Sequence, residues 1–233
     1  MIRAILFDLD GTLLDIDLEG FLRAYFGLLG PAIERFSGLP SDVAITAVMS
    51  GTEAMCGLHP GRTNREVFNE AFRSACGLDL TEDTAVKALA AFYEEEFPTL
   101  RALHGPRVGC EDVVRAAAAA GVRIAVATNP IFPREAVLER MRWAGLDAHE
   151  FDLITSYENS EACKPLPLYY RQIALSLDVP PSECLMVGDD PVLDLAAADV
   201  GMRTFYVGLG SPPTADWSGD LTDLAGLISR ITG

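Results

Sequence analysis

The chain opens on an apolar run, Ile2 to Phe7, with Arg3 and Ala4 among its β-branched and other apolar residues, the pattern of a buried strand about six residues long. Three carboxylates follow at its carboxyl end, Asp8, Asp10 and Asp15, where folding alone asks for none. After Asp15 the period becomes helical and stays so for about ninety residues, well beyond the length of a loop. Apolar positions recur at helical spacing over Leu18 to Phe36, Ser41 to Met55, Asn64 to Cys76 and Thr81 to Phe97, separated by the turn signals SGLP, GLHPG and GLDL. Pro98 and the GPRVG stretch from Gly105 to Gly109 mark the return to the first unit.

From there helices and apolar runs alternate. A helix from Cys110 to Ala120 stops at Gly121, and the strand VRIAVAT follows. A helix from Pro133 to Ala144 then stops at Gly145, ahead of a strand near Phe151 to Thr155. The rhythm continues with a helix over Pro167 to Leu177, the strand CLMVG, a helix Val192 to Val200 and the strand RTFYV. This alternation predicts an α/β fold: a Rossmann-like, mostly parallel sheet with helices on both faces, formed by residues 1–15 and 105–233, with 16–104 inserted as a helical module.

Length and composition narrow the class. At 233 residues and 49% hydrophobic the chain has ample material for a core and a modest insert. With 18 Lys and Arg against 34 Asp and Glu, the net charge of −16 repels nucleic acid and anionic membrane, so neither is an expected partner and an anionic ligand needs a local cation. The five cysteines lack CxxC spacing and are odd in number, which fits reduced thiols rather than a disulfide or zinc framework. No apolar run reaches the ~18 residues of a membrane span, and no signal-peptide pattern precedes the first strand; a cytoplasmic protein is expected.

Ligands of an open parallel sheet bind outside the carboxyl ends of its strands. Reading those ends together gives Asp8 and Asp10 after the first strand, Thr128 and Asn129 after VRIAVA, and Asp189, Asp190 and Asp194 after CLMVG, with Lys164 in ACKPLP ahead of it. Carboxylates are hard ligands suited to magnesium, and one of them can also accept a phosphoryl group as a nucleophile. Lysine, hydroxyl and amide groups can hold the transferring oxygens while a second acid serves as proton donor and acceptor.

The stretches FDLDGTLLD, VATN, KPLPLYY and VGDDPVLDLAAADVGM resemble, in order, the four motifs of the haloacid dehalogenase-like hydrolase superfamily. That resemblance implies a phosphatase acting on a small phosphorylated metabolite through an aspartyl-phosphate, with Mg2+ as cofactor. It implies Asp8 as nucleophile and metal ligand, and Asp10 as general acid/base that also offers its backbone carbonyl to the metal. Thr128 and Asn129 would bind the phosphoryl group, Lys164 would steady it and Asp8, and Asp189 and Asp194 would complete the metal site. Gly11 and Thr12 would shape the turn after the strand. The insert takes the place of a helical cap. In the turn GLHPGRTNRE between two cap helices, with His59, Arg62, Asn64 and Arg65, Arg62 or its neighbours are candidates to face the substrate, since an anionic ligand needs local positive charge. Asp10 argues against a haloacid dehalogenase, and the motif order against a phospho-accepting switch; a phosphosugar mutase keeps every core motif and stays open. A monomer or homodimer is expected.

Overall fold

The structure is a computed structural model that describes residues 1–210, 212 and 215–233. The first apolar run forms β1 (Ala4–Phe7), and a tight turn leads to β2 (Leu14–Asp15). The insert then folds as α1 (Leu18–Ser37), α2 (Ser41–Met55), α3 (Asn64–Cys76) and α4 (Asp83–Ala91), and β3 (Gly105–Pro106) brings the chain back antiparallel to β2. Local signals account for the helix limits. The Asp17 side chain caps α1, Gly38 ends it at φ +74°, and Thr63 and Glu66 form a reciprocal capping box at the start of α3.

The remaining elements are α5 (Cys110–Ala119), β4 (Arg123–Val126), α6 (Arg134–Trp143), β5 (Leu153–Ile154), α7 (Pro167–Ser176), β6 (Cys184–Gly188), β7 (Arg203–Val207), β8 (Trp217–Gly219) and α8 (Leu221–Thr232). Among the described residues the main sheet has the order β5-β4-β1-β6-β7-β8, every pairing parallel. β1 lies inside it, buried on both faces, which is why its sequence is continuously apolar rather than alternating. Ile5 and Phe7 pack on the side of α5, α6 and α8, and Ala4 and Leu6 on the side of α7. No described helix is long and apolar enough to cross a membrane.

Two expectations are corrected, both concerning helices. The helix read over Thr81 to Phe97 is α4 followed by a wider i to i+5 turn, Phe92–Glu96, and a 3-10 segment, Phe97–Leu103. The wide turn brings Phe92 and Phe97, five apart, toward one face, and both are buried. The helix read over Val192 to Val200 is a 3-10 segment from Leu195, preceded by a turn in which Asp190 Oδ1 accepts the N–H groups of Val192 and Leu193 and Asp194 Oδ2 accepts that of Asp190. Asp15 is exposed in β2 and does not join the other acids. Arg62 pairs with Glu70 at 2.6 Å and donates to the Glu66 carbonyl, both side chains of the pair being exposed.

Cap and core meet in two ways. Phe21 of α1 and Phe97 contact Trp143, with Phe97 stacked on it at 5.4 Å, and the two regions share one apolar cluster. The second joint is polar. Asn64, fully buried, donates from Nδ2 to the Pro130 carbonyl at 2.9 Å and to Cys163 Sγ at 3.3 Å, while its N–H reaches the Ser160 carbonyl at 2.7 Å. At this joint a hydrogen bond from the Cys163 thiol lowers the exposed Cys56 thiol to about 7, whereas that same contact and burial push Cys163 up. Iodoacetamide at neutral pH is therefore expected to label Cys56 first, with a rate that rises through about pH 7. Peptide mapping after brief labelling checks this; Cys76 or Cys110 reacting ahead of Cys56 would refute it.

Candidate active site

The turn after β1 sets the site. The Leu9 carbonyl accepts N–H groups from Thr12, Leu13 and Leu14, and Gly11 takes φ +86°. A Cβ on Gly11 would stand 2.4 Å from Asp189 Oδ2, so the conformation and the close approach both require glycine there. Gly188, the last residue of β6, is needed for space alone: a Cβ would meet Asp194 Oδ2 at 2.1 Å. Thr12 Oγ1 donates to Asp189 Oδ1 at 3.0 Å, tying the turn of β1 to that of β6.

Lys164 lies at the centre. Its Nζ donates to Asp8 Oδ1 at 2.7 Å and to Asp194 Oδ1 at 2.6 Å, and all three side chains are buried. Burial disfavours its charge, but Asp194 and Asp8 outweigh that effect and hold the amine protonated, well above the usual lysine range. Asp8 is pushed upward by burial first, against the pull of Lys164 and with the repulsion of Asp194 added. Burial and Asp194 likewise raise Asp189, against its bond from Thr12.

Carboxylate oxygens of Asp8, Asp189 and Asp194 lie within 4.8 Å of one another. Three crowded carboxylates share one ammonium, and a divalent cation relieves their mutual repulsion. Their hard oxygens fit a cation of the magnesium kind.

Asp10 behaves differently. Its Oδ2 is held by a short bond from Arg140 Nη1, while Oδ1 is buried with no partner among the described residues. Thr128 and Asn129 line the same pocket as Asp8, Asp10, Lys164, Asp189 and Asp194, so every site residue named from the sequence meets there. Asn129 Oδ1 accepts the Lys164 N–H at 3.1 Å and positions that loop. Asp190 lines the pocket too, but its Oδ1 accepts the N–H groups of Val192 and Leu193, a turn-forming role.

Two residues escaped the sequence reading. Arg107, from the segment after β3, donates to the Gly11 carbonyl and secures the turn. Arg140, fully buried on α6, grips Asp10 and packs its guanidinium 4.4 Å from the Phe132 ring centroid. A signal for Arg140 was present: Ala136, Val137, Met141 and Ala144 mark the inward face of α6, and an arginine between them at helical spacing has to find a buried anion.

The parallel sheet and the polar cluster at its carboxyl rim define an α/β protein with a ligand site at the strand ends, and the family match below makes it a hydrolase. The chain belongs to the haloacid dehalogenase-like hydrolases: the model of that family matches residues 2–200. It is 33% identical over 222 residues to a phosphoglycolate phosphatase of Rhodospirillum rubrum, covering 92% of this chain and 84% of that protein. It is 30% identical to haloacid dehalogenase-like hydrolase domain-containing protein 3 of Xenopus laevis over 70% of this chain, and spans 65% of that protein's length. In fold it is similar to a HAD phosphatase from Thermococcus onnurineus, with TM-score 0.60, 22% identity and coverage of 97% of this chain and 98% of the other.

Proposed function

We propose that this protein is a magnesium-dependent phosphatase of small phosphorylated metabolites, working through an aspartyl-phosphate on Asp8, with residues 1–15 and 105–233 as catalytic core and 16–104 as cap. The observation that carries the reading is the contact of Lys164 Nζ with both Asp8 and Asp194 inside a cluster of three carboxylates, with a fourth, Asp10, standing apart in the same pocket. A nucleophile and a separate acid/base are what two-step phosphoryl transfer needs.

In this scheme Asp8 Oδ attacks phosphorus and the bond from phosphorus to the ester oxygen breaks. Asp10 gives its proton to the departing oxygen. Water then attacks the phosphoryl group on Asp8 as Asp10 takes a proton from it, and phosphate leaves with Asp8 restored. Lys164 keeps Asp8 in line and balances charge on the phosphoryl oxygens. Thr128 and the Nδ2 of Asn129 hold those oxygens. Asp8, Asp189 and Asp194 would hold magnesium, with the Asp10 carbonyl; bound there, the ion offsets repulsion between the anionic nucleophile and the phosphate. Asp10 favours this reading over carbon–halogen cleavage, which needs no second acid two residues from the nucleophile.

The test is phosphate release from small phosphate esters with and without magnesium, alongside thermal unfolding. Release should require the ion. At a magnesium concentration of about 100 times its dissociation constant, binding to the native state alone adds about 2.7 kcal/mol, which is a rise of roughly 5–10 °C in Tm for a chain of this size. Release undiminished by chelator, or no shift in Tm with magnesium, counts against the proposal.

A further inference from the structure

Beside the carboxylate pocket a second cavity of about 180 Å³ opens between the cap helices and the segment after β4. The two are neighbours, sharing Leu22, Ile131 and Phe132 as walls. We propose that this cavity receives the leaving group, and that the substrate is the phosphate monoester of an uncharged, largely apolar alcohol or phenol. The inference rests on the phosphatase reading and gives it a substrate class.

Three observations support it. First, the lining is aliphatic and aromatic, with no Asp, Glu, Lys, Arg or His among its described residues. Among the described residues that line these two cavities Lys164 is the only cation, and it is already bonded to Asp8 and Asp194. Arg140 is fully buried and paired with Asp10. A leaving group bearing a carboxylate or a second phosphate would be desolvated here without a counter-charge, which is prohibitive.

Second, the hydroxyls of the lining are largely occupied. Tyr25 and Tyr93 bond each other at 2.8 Å, and Thr52 donates to the Val48 carbonyl at 2.9 Å. Burial pushes Tyr25 up to about 12 and Tyr93 well above the ordinary tyrosine value, so both stay neutral. A polyol would have the Tyr157 hydroxyl and the remaining proton and lone pairs of the other three to engage, and each of its own hydroxyls left unmatched disfavours binding. Third, the size suits a compact group, since an apolar cavity of about 150 Å³ holds a benzene ring.

The experiment compares kcat/KM for phenyl phosphate and isobutyl phosphate with that for phosphoglycolate, phosphoserine and a sugar phosphate, in the presence of magnesium. Acetyl phosphate, an acyl phosphate with an activated leaving group, serves as a substrate too small to need the cavity. The neutral apolar esters should exceed the charged ones by about 100-fold, the scale on which a pocket rejects a group it cannot pair. Met49, which lines the cavity but is half exposed, tolerates a charge, so Met49→Lys should narrow that ratio by about tenfold while the protein keeps its cooperative melt. Equal rates across the panel, or preference for a charged or polyhydroxylated ester, would overturn the assignment and leave the phosphatase reading intact. Turnover of acetyl phosphate alone would do the same. Failure on every ester and on acetyl phosphate as well would overturn both. If Met49→Lys does not fold, the wild-type ratio decides by itself.

Discussion

Asp8→Asn is expected to lower phosphate release by about 10⁴-fold or more, because it removes the attacking oxygen and no neighbour can replace it. Asp10 cannot step in: its carboxylate is held by Arg140. Asp194 is bonded by Lys164 and by the Asp190 N–H, and Asp189 by Thr12. The fold should be unharmed. Asparagine is nearly isosteric, the substitution relieves Asp8 of its repulsion with Asp194, and Lys164 keeps Asp194 as a partner at 2.6 Å. Phosphate release and thermal melting of both proteins check the prediction. A variant that keeps more than about a hundredth of the activity with a native melt would refute a nucleophilic Asp8, since loss of a covalent nucleophile costs far more than that.

The second large effect is structural and catalytic together. Arg140→Met takes the cation from a buried pair and leaves the Asp10 carboxylate without its partner, a change that costs about 3–5 kcal/mol when one member of such a pair is removed. For a chain of this length that is a fall in Tm of roughly 6–20 °C. Asp10, no longer held, should also lose its alignment and lower kcat by about 10²-fold. Asp10→Asn in the Arg140→Met background removes the unpaired charge and should recover part of the stability without recovering activity. Melting curves of the wild type, both single variants and the double variant give the coupling directly. Purely additive changes would show that the pair is not what stabilises this corner of the core.

Much of the site was legible because its residues follow apolar strands in a parallel sheet, whose carboxyl ends must converge. Asp8 and Asp189 stand directly after strands, whereas Thr128, and Lys164 in the loop ahead of α7, gained weight only from their place in the set, and Gly11 from the turn that the first strand needs. Arg140 and Arg107 were harder, since each acts across a long sequence separation on a group that local patterning does not reveal. Among the secondary structure, α2 and α3 were bounded by strong turn and capping residues. By contrast, β2 and β3 are two residues each and leave almost no period-two signal. The last elements, β8 and α8, lay beyond the reach of the strand reading at RTFYV, although Asp220 and Asp223 form a capping box and Leu221, Leu224 and Ile228 keep helical spacing.

The pairing of β2 with β3 places the two ends of the cap side by side. The closure entropy of a connection grows only with the logarithm of its length, about 0.6 kcal/mol for each doubling, so a module of about ninety residues in place of a four-residue turn adds only about 3 kcal/mol to closing that junction. Topologically, then, the cap is an inexpensive insertion. Energetically it is welded in place, because Phe21 and Phe97 cover Trp143 and carry one apolar cluster across the seam. A lobe that opened fully would bare that tryptophan to water. Small rotations that keep the aromatic weld closed are therefore the expected excursions of the cap, and when the weld does part, cap and core should lose their structure in a single cooperative transition.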